Sequence, residues 1–262
     1  MQVMSKKSFD ECYFTSIHDI EVLDDIVTYV ERNYGKLGKY ENSIFCPECR
    51  HAELSYVHQT SRTRAFLRRK FRTVHLPGCS YNYEYSSPKF SKEYYELLTD
   101  DQIQDKMASM MRSLLRDSLD NGENVIQASN TVEVDNPLIL EKEQNGQQIR
   151  KSLRRKKLST WLDEEIAGEL HLFYGEVKLK VRRIEKTNEA GESYFYYFLD
   201  IFCENKNREW KRKTQIYRGA MEDSIDENQI YYFVAVGNID FSNSFPRLEL
   251  SNKQSILFKA IQ

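Results

Sequence analysis

Cys46-Pro-Glu-Cys49 and, twenty-five residues on, His75-Leu-Pro-Gly-Cys79 place three cysteines and a histidine in two close pairs. Tetrahedral zinc takes such a set of sulfur and imidazole donors, and a structural site is closed by four protein ligands. Each pair must turn tightly to offer both donors to one ion. Pro47 and Pro77-Gly78 supply turn-forming residues between the donors. No βαβ pattern surrounds the CxxC, which argues against a thioredoxin-like redox pair. The plain alternative is unligated thiols, and His51 or His58 are the alternative imidazoles to His75. Zinc in a structural role, held by Cys46, Cys49, His75 and Cys79, is the expected cofactor.

Between the pairs, Glu53–His58 reads as a short strand, Gln59–Thr63 as a turn, and Arg64–Phe71 as the returning strand. A CxxC knuckle, a hairpin and a second donor pair leading toward a helix resembles a treble-clef zinc finger. It is also similar to the cysteine/histidine module near the front of some bacterial competence-related and mobile-element proteins. The likeness covers residues 40–120 and implies a bacterial setting in mobile-element or phage-defence biology. It departs from a treble clef in one respect: the next expected helix begins near Ser91, some way beyond Cys79.

The chain has 262 residues, 40% hydrophobic and 30% charged, with a net charge of −2. That length accommodates two modest domains. No run of about 18 apolar residues is present, so no spanning helix and no membrane partner are expected. The N-terminus lacks an apolar signal core, which points to the cytoplasm. Cys12 and Cys203, left over from the metal set, read as reduced packing residues. Charge is segregated. Arg50, Arg62, Arg64, Arg68, Arg69, Lys70 and Arg72 face a single acid, Glu53, and Lys151, Arg154, Arg155, Lys156 and Lys157 follow later with none.

Ser16 and Asp19 look like a helix start, with Ile20, Leu23, Ile26, Val27 and Val30 at helical spacing until Gly35. Ser91 opens a further helical stretch, and Thr99-Asp-Asp-Gln102 has the capping-box form. Ile103, Met107, Met110, Met111, Leu114 and Leu115 line the face that follows. It reads as core against the zinc module or the first helix, or as an adaptable partner surface. A break at Asp120-Asn-Gly122 leads into polar residues 121–157, read as a linker ending in the basic run.

From residue 158 the pattern turns to strands. Glu169–Arg183 is long and bent at Gly175; Ser193–Glu204, Glu209–Tyr217 and Gln229–Gly237 follow; Leu248–Leu250 and Ser255–Ile261 finish the sheet. Arg218–Asn228 reads as an acidic connection with room for a short helix. The expected fold class is therefore α+β. A helical, zinc-stabilised domain over 1–120 joins a five-stranded OB-like β-barrel over 158–262. A small β-sandwich or SH3-like barrel is the competing form.

Alternation sorts the strand residues by face. Phe195, Tyr197, Leu199, Ile201 and Cys203 form the inward set. Lys178, Lys180, Tyr194, Tyr196, Lys211 and Lys213 are expected on one outer surface. Aromatic rings interleaved with basic groups suit single-stranded DNA or RNA, by base stacking with phosphate neutralisation. Arg62, Arg64, Arg68, Arg69, Lys70 and Arg72 on the zinc-held hairpin form a second candidate contact; pairing with the chain's own acids is the alternative. No P-loop, GxSxG, HExxH or Rossmann fingerprint is present. The expected function is non-catalytic nucleic-acid binding. The rival is a protein-interaction module docking on a nuclease or helicase. A metal-dependent nuclease using Glu48 or Glu53 is a third reading, and it requires an open metal position.

Overall fold

The computed structural model of the protein describes residues 7–114, 136–144 and 146–261. Among these, no helix is long and apolar enough to cross a membrane. The chain is α+β, with far more strand than helix, and divides into two compact units: Met1–Tyr85 with Gly122–Ser152, and Ser86–Asn121 with Leu153–Gln262. This division differs from the boundaries expected at residues 120 and 158. The second and third helices group with the C-terminal sheet, and part of the expected linker groups with the cysteine module.

The first unit opens with β1 (Ser8–Phe9), β2 (Glu11–Phe14) and β3 (Asp19–Val22), then α1 (Leu23–Arg32), β4 (Ile44–Phe45), β5 (Leu54–Val57) and β6 (Phe66–Arg69). The helix expected from Ser16 starts at Leu23 instead. Residues 19–22 form a strand because β2 takes them as its antiparallel partner, Glu11 opposite Val22 and Phe14 opposite Asp19. The connecting turn uses His18 at φ 55, a conformation no glycine announced. α1 ends as expected: Gly35, at φ 81, donates its N–H to the Val30 carbonyl. The hairpin read between the metal pairs is present, with Leu54 opposite Arg69 and Val57 opposite Phe66.

Two further strands, β7 (Ile139–Gln144) and β8 (Gln147–Ser152), pair over their whole length, Ile139 opposite Ser152 and Gln144 opposite Gln147. Residues 136–152 are thus not linker. The helix break at 120–122 and the polar stretch to 135 lie outside the described residues. The unit's core gathers Phe9, Cys12, Phe14, Ile26, Val30, Tyr40, Ile44, Leu54 and Leu67, and it includes the metal-pair cysteines Cys46 and Cys79.

In the second unit, α2 (Pro88–Glu96) begins with Pro at the first helical position, and the Ser87 hydroxyl accepts from the Phe90 N–H. α3 (Asp100–Leu114) carries the expected capping box. Thr99 N–H donates to Gln102 Oε1 at 2.9 Å, and Gln102 N–H to the Thr99 hydroxyl at 3.3 Å. Ile103, Met107, Met110 and Met111 are buried. Their helix lies against the C-terminal strands, where Gln104 Nε2 donates to the Gln254 carbonyl. The four buried residues of the stripe are therefore core of the second unit, packed on its sheet. Leu115 lies outside the described residues.

The sheet comprises β9 (Arg154–Lys157), β10 (His171–Thr187), β11 (Ser193–Glu204), β12 (Trp210–Gly219), β13 (Ile230–Asp240), β14 (Arg247–Leu250) and β15 (Ile256–Ala260). Five of them pair in a circuit. β10 runs antiparallel to β11, and β11 to β12. β12 pairs parallel with β14, which is antiparallel to β13, and β13 returns antiparallel to β10. β10, which also pairs parallel with β9, reaches both of its circuit partners because it is 17 residues long and bends at Gly175, φ 148. The bend turns its first half to β13, down to Lys178 opposite Ile230, and its second half to β11. Phe173, Val177, Leu179, Leu199, Ile201, Ile216, Phe233 and Leu248 fill the space enclosed. No helix forms between β12 and β13, where the sequence leaves room for a short one.

Candidate metal centre and aromatic face

The four expected ligands converge. Cys46, Cys49, His75 and Cys79 bring one donor atom each to within 4.8 Å of one another. Cys46 Sγ and Cys79 Sγ are 3.9 Å apart, and His75 Nδ1 lies 3.5 Å from Cys49 Sγ and 3.6 Å from Cys79 Sγ. A tetrahedral ion with ordinary zinc–sulfur and zinc–nitrogen bonds needs edges of about 3.8 Å between sulfurs and about 3.6 Å from sulfur to nitrogen. Three of the six edges match these lengths, and the remaining donor pairs lie within 4.8 Å, so the set could hold a tetrahedral metal ion. His51 is exposed and His58 packs edge-on against Tyr56, so His75 is the imidazole donor.

Local folding explains the convergence. Cys46 N–H donates to the Ala52 carbonyl at 2.7 Å, and Arg50 N–H closes back on Cys46 at 2.9 Å. Arg50 takes φ 52 to complete the knuckle and lays its guanidinium over Tyr13. Gly78, at φ 79, lets the second pair turn before Cys79. The His75 ring stacks near Phe9 and Tyr81. Glu48, inside the CxxC, accepts from Ser80 N–H at 2.6 Å, from the Ser80 hydroxyl and from Asn136 Nδ2 at 2.6 Å. Asn136 also donates to the Gly78 carbonyl. Glu48 therefore ties the two ligand loops together and is not poised as a base, and Glu53 is paired with Lys70 at 2.7 Å.

The thiols are poorly suited to stand alone. Burial pushes Cys46 up to about 12. Hydrogen bonds from the Cys46 and Cys79 thiols hold Cys49 far below the ordinary thiol range and raise Cys79 in turn. A divalent ion stabilises the thiolate form of all three sulfurs together. Cys12 and Cys203 are buried free thiols, as expected of packing residues.

On the hairpin, Arg62, Arg64, Arg68 and Arg72 are exposed. Lys70 is engaged by Glu53 and by Asn42 at 2.8 Å, and Arg69 donates to the Thr73 carbonyl. The expected basic patch thus divides: two of its six members brace the fold.

The outer face of β10–β11–β12 carries Tyr194, Tyr196 and Lys178, but these are strung out along the ribbon. Lys178 stands opposite Phe202, about 27 Å from Tyr194 by strand rise. Lys178 lies over the Trp210 ring, and Lys180 is 3.4 Å from Glu227. Lys211 and Lys213 depart from expectation. An irregularity between Ile201 and Phe202 offsets the β11–β12 register, so Lys211 opposes Cys203 on the core side and Lys213 reaches Trp161. Arg212, Gln215 and Tyr217 face outward in their place. Phe195 also departs: with Tyr194 it lies nearly half-exposed on a part of the ribbon beyond the core, under the Arg183 guanidinium.

What the register builds at the centre of this face is an aromatic cluster framed by guanidinium groups. The Tyr196 ring lies 5.5 Å from Tyr217 and 5.7 Å from Phe198, and Tyr194 stacks on Tyr196 at 6.3 Å. Arg182 and Arg247 both lie over Phe198, at 4.9 and 5.5 Å. Arg182 is held by a bidentate pair to Asp200, at 2.8 and 3.0 Å, and by Gln215 at 2.7 Å; Arg212 approaches the same carboxylate at 3.6 Å. Two cations share one buried acid, so the face carries excess positive charge. Asp200→Ala is expected to lower the stability of this unit by about 2 kcal/mol in urea denaturation. That is less than a fully buried pair, because both guanidiniums are about a third exposed. No change in the midpoint would mean that solvent already supports both arginines. The β11–β12 irregularity has no sequence mark.

His171 is buried on β10, its Nδ1–H donating to the Glu169 carbonyl, and burial lowers its pKa. It is packing, not a ligand. Comparison with models of protein families, with curated proteins and with solved structures found no match.

Proposed function

We propose that the protein binds single-stranded nucleic acid without catalysing a reaction on it, through an OB-like barrel formed by the five-strand circuit. The observation that carries the reading is the Tyr196–Phe198–Tyr217 cluster with Arg182 and Arg247 laid over Phe198. Unpaired bases stack on aromatic rings, and guanidiniums neutralise the phosphates between them. The circuit supports the barrel reading. Its order is first, second, third, fifth, fourth and back to first, and β11 and β12, the second and third strands, are where such barrels take oligonucleotides. Zinc is the ion proposed for the Cys3His site, in a structural role: four protein donors fill a tetrahedral shell and leave no position for a reacting water. The free thiols suit a reducing compartment such as the cytoplasm.

Fluorescence anisotropy with labelled single- and double-stranded DNA and RNA, from low to moderate salt, tests the reading. Binding is expected to weaken steeply with salt. Tyr196→Ala/Tyr217→Ala should weaken it about 100-fold, since each stacked base contributes roughly 1–3 kcal/mol. Lys211→Ala/Lys213→Ala should change it little. Absence of binding at low salt, or equal losses from the two double variants, would remove the aromatic face from the function.

A further inference from the structure

We propose a second base-stacking site, in the other unit: Phe71 and Arg72, at the tip of the turn that leads into the metal ligand His75, hold one unpaired nucleotide. The inference rests on the nucleic-acid reading above and adds to it a contact on the cysteine module.

The turn is braced from three directions. Thr73 N–H donates to the Lys70 carbonyl at 3.2 Å, and Lys70 N–H to the Glu53 carbonyl at 2.9 Å. Arg69 donates to the Thr73 carbonyl, and the Lys70 ammonium is fixed by Glu53 and Asn42. Two residues beyond Thr73, His75 joins the metal set. Phe71 and Arg72 are the two central residues of this turn and take no part in its bracing. Phe71 is 96% exposed, and Val74 beside it 66%.

Nothing in the fold calls for phenylalanine there. Turn tips are served by Gly, Pro, Asn, Asp and Ser, and an exposed Phe forgoes the gain that burial of a large apolar side chain brings. The turn holds the backbone at this point, so a flat ligand landing on the ring costs side-chain rotamer freedom and no loop ordering. The surrounding charge selects the ligand. Arg68 and Arg72 are exposed on the same hairpin, while the hairpin's acid, Glu53, is occupied by Lys70. A flat apolar ring beside a cation complements a flat base beside a phosphate.

Ultraviolet cross-linking of the full, metal-loaded chain to an oligonucleotide carrying 5-iodouracil, followed by digestion after glutamate, separates the two sites. Phe71 falls in Leu54–Glu84, and the barrel face in Ser193–Glu204 and Trp210–Glu222. Adducts at Phe71 are expected alongside adducts on the barrel face. Phe71→Ala should weaken binding about tenfold with an unchanged melting temperature, and Phe71→Trp should restore it. Arg72→Gln should lower the salt slope by about one. Adducts confined to the barrel peptides, with Phe71→Ala binding as tightly as the parent chain, would overturn this site while the barrel reading stands. A chain that binds no oligonucleotide at low salt would end both. Sedimentation with anionic vesicles that depends on Phe71, without adducts at that residue, would assign the turn to a lipid surface and overturn the proposal.

Discussion

Stripping the metal with a chelator, or replacing a ligand as in Cys49→Ser or Cys79→Ser, is expected to unfold the cysteine module while the seven-stranded sheet keeps its protection. The donors are not appended to a finished core. Cys46 and Cys79 sit inside the cluster of Phe9, Phe14, Ile44, Leu54 and Leu67. The strands around them are two to six residues long, and none forms an extended sheet. Structural zinc contributes on the order of 10 kcal/mol or more in small modules, comparable with the whole stability of an ordinary domain. Loss of the ion also leaves three sulfurs and an imidazole crowded together with no cation to hold them. Hydrogen exchange, followed by mass spectrometry with and without chelator, reads the two units separately. β5 and β6 should lose protection, and β10, β11 and β13 should keep it. Unchanged protection of Leu54–Val57 and Phe66–Arg69 after stripping would show that the apolar core suffices and that the cysteines are packing thiols.

The ligands were legible because metal chemistry is local: two short pairs with turn residues between them carry the same meaning wherever the chain goes next. The strands from 169 onward were legible for a similar reason. Each carries its own alternation and its own turn, and the capping box of α3 is contained in four residues. What escaped was written in partnerships. Residues 19–22 look helical by spacing, yet β2 claims them as a strand. Gln147–Ser152 has little apolar alternation of its own and is ordered by pairing with Ile139–Gln144. Lys211 and Lys213 fell on the wrong face because one irregular residue pair reverses alternation on everything beyond it. The methionine stripe was rightly apolar, but its partner was more than a hundred residues away.

Gly237→Ala is expected to damage the second unit most among single substitutions on its strands, and the reason reaches the proposed binding face. β13 pairs with β15 through Tyr231–Ala235 and with β14 through Gly237–Asp240. At the change of partner, β14 passes so close that a Cβ on Gly237 would overlap the Glu249 carbonyl oxygen and approach its carbon to 2.9 Å and Leu248 Cδ1 to 3.0 Å. The obstacle is backbone, so no side-chain rotation relieves it and β14 must move. Overpacking of this kind costs about 3 kcal/mol, or roughly 10 °C in melting temperature for a unit of this size. β14 also closes the circuit, through Arg247 opposite Gln215 on β12, and it carries the guanidinium that covers Phe198. The variant should therefore bind single strands more weakly even at temperatures where it remains folded. An Arg247→Ala chain, which keeps the strand in place, separates the two effects: it should lose affinity with little loss of melting temperature. If Gly237→Ala melts within about 1 °C of the parent chain, β14 is not seated against β13 as described. Arg247 would then have no fixed place on the face.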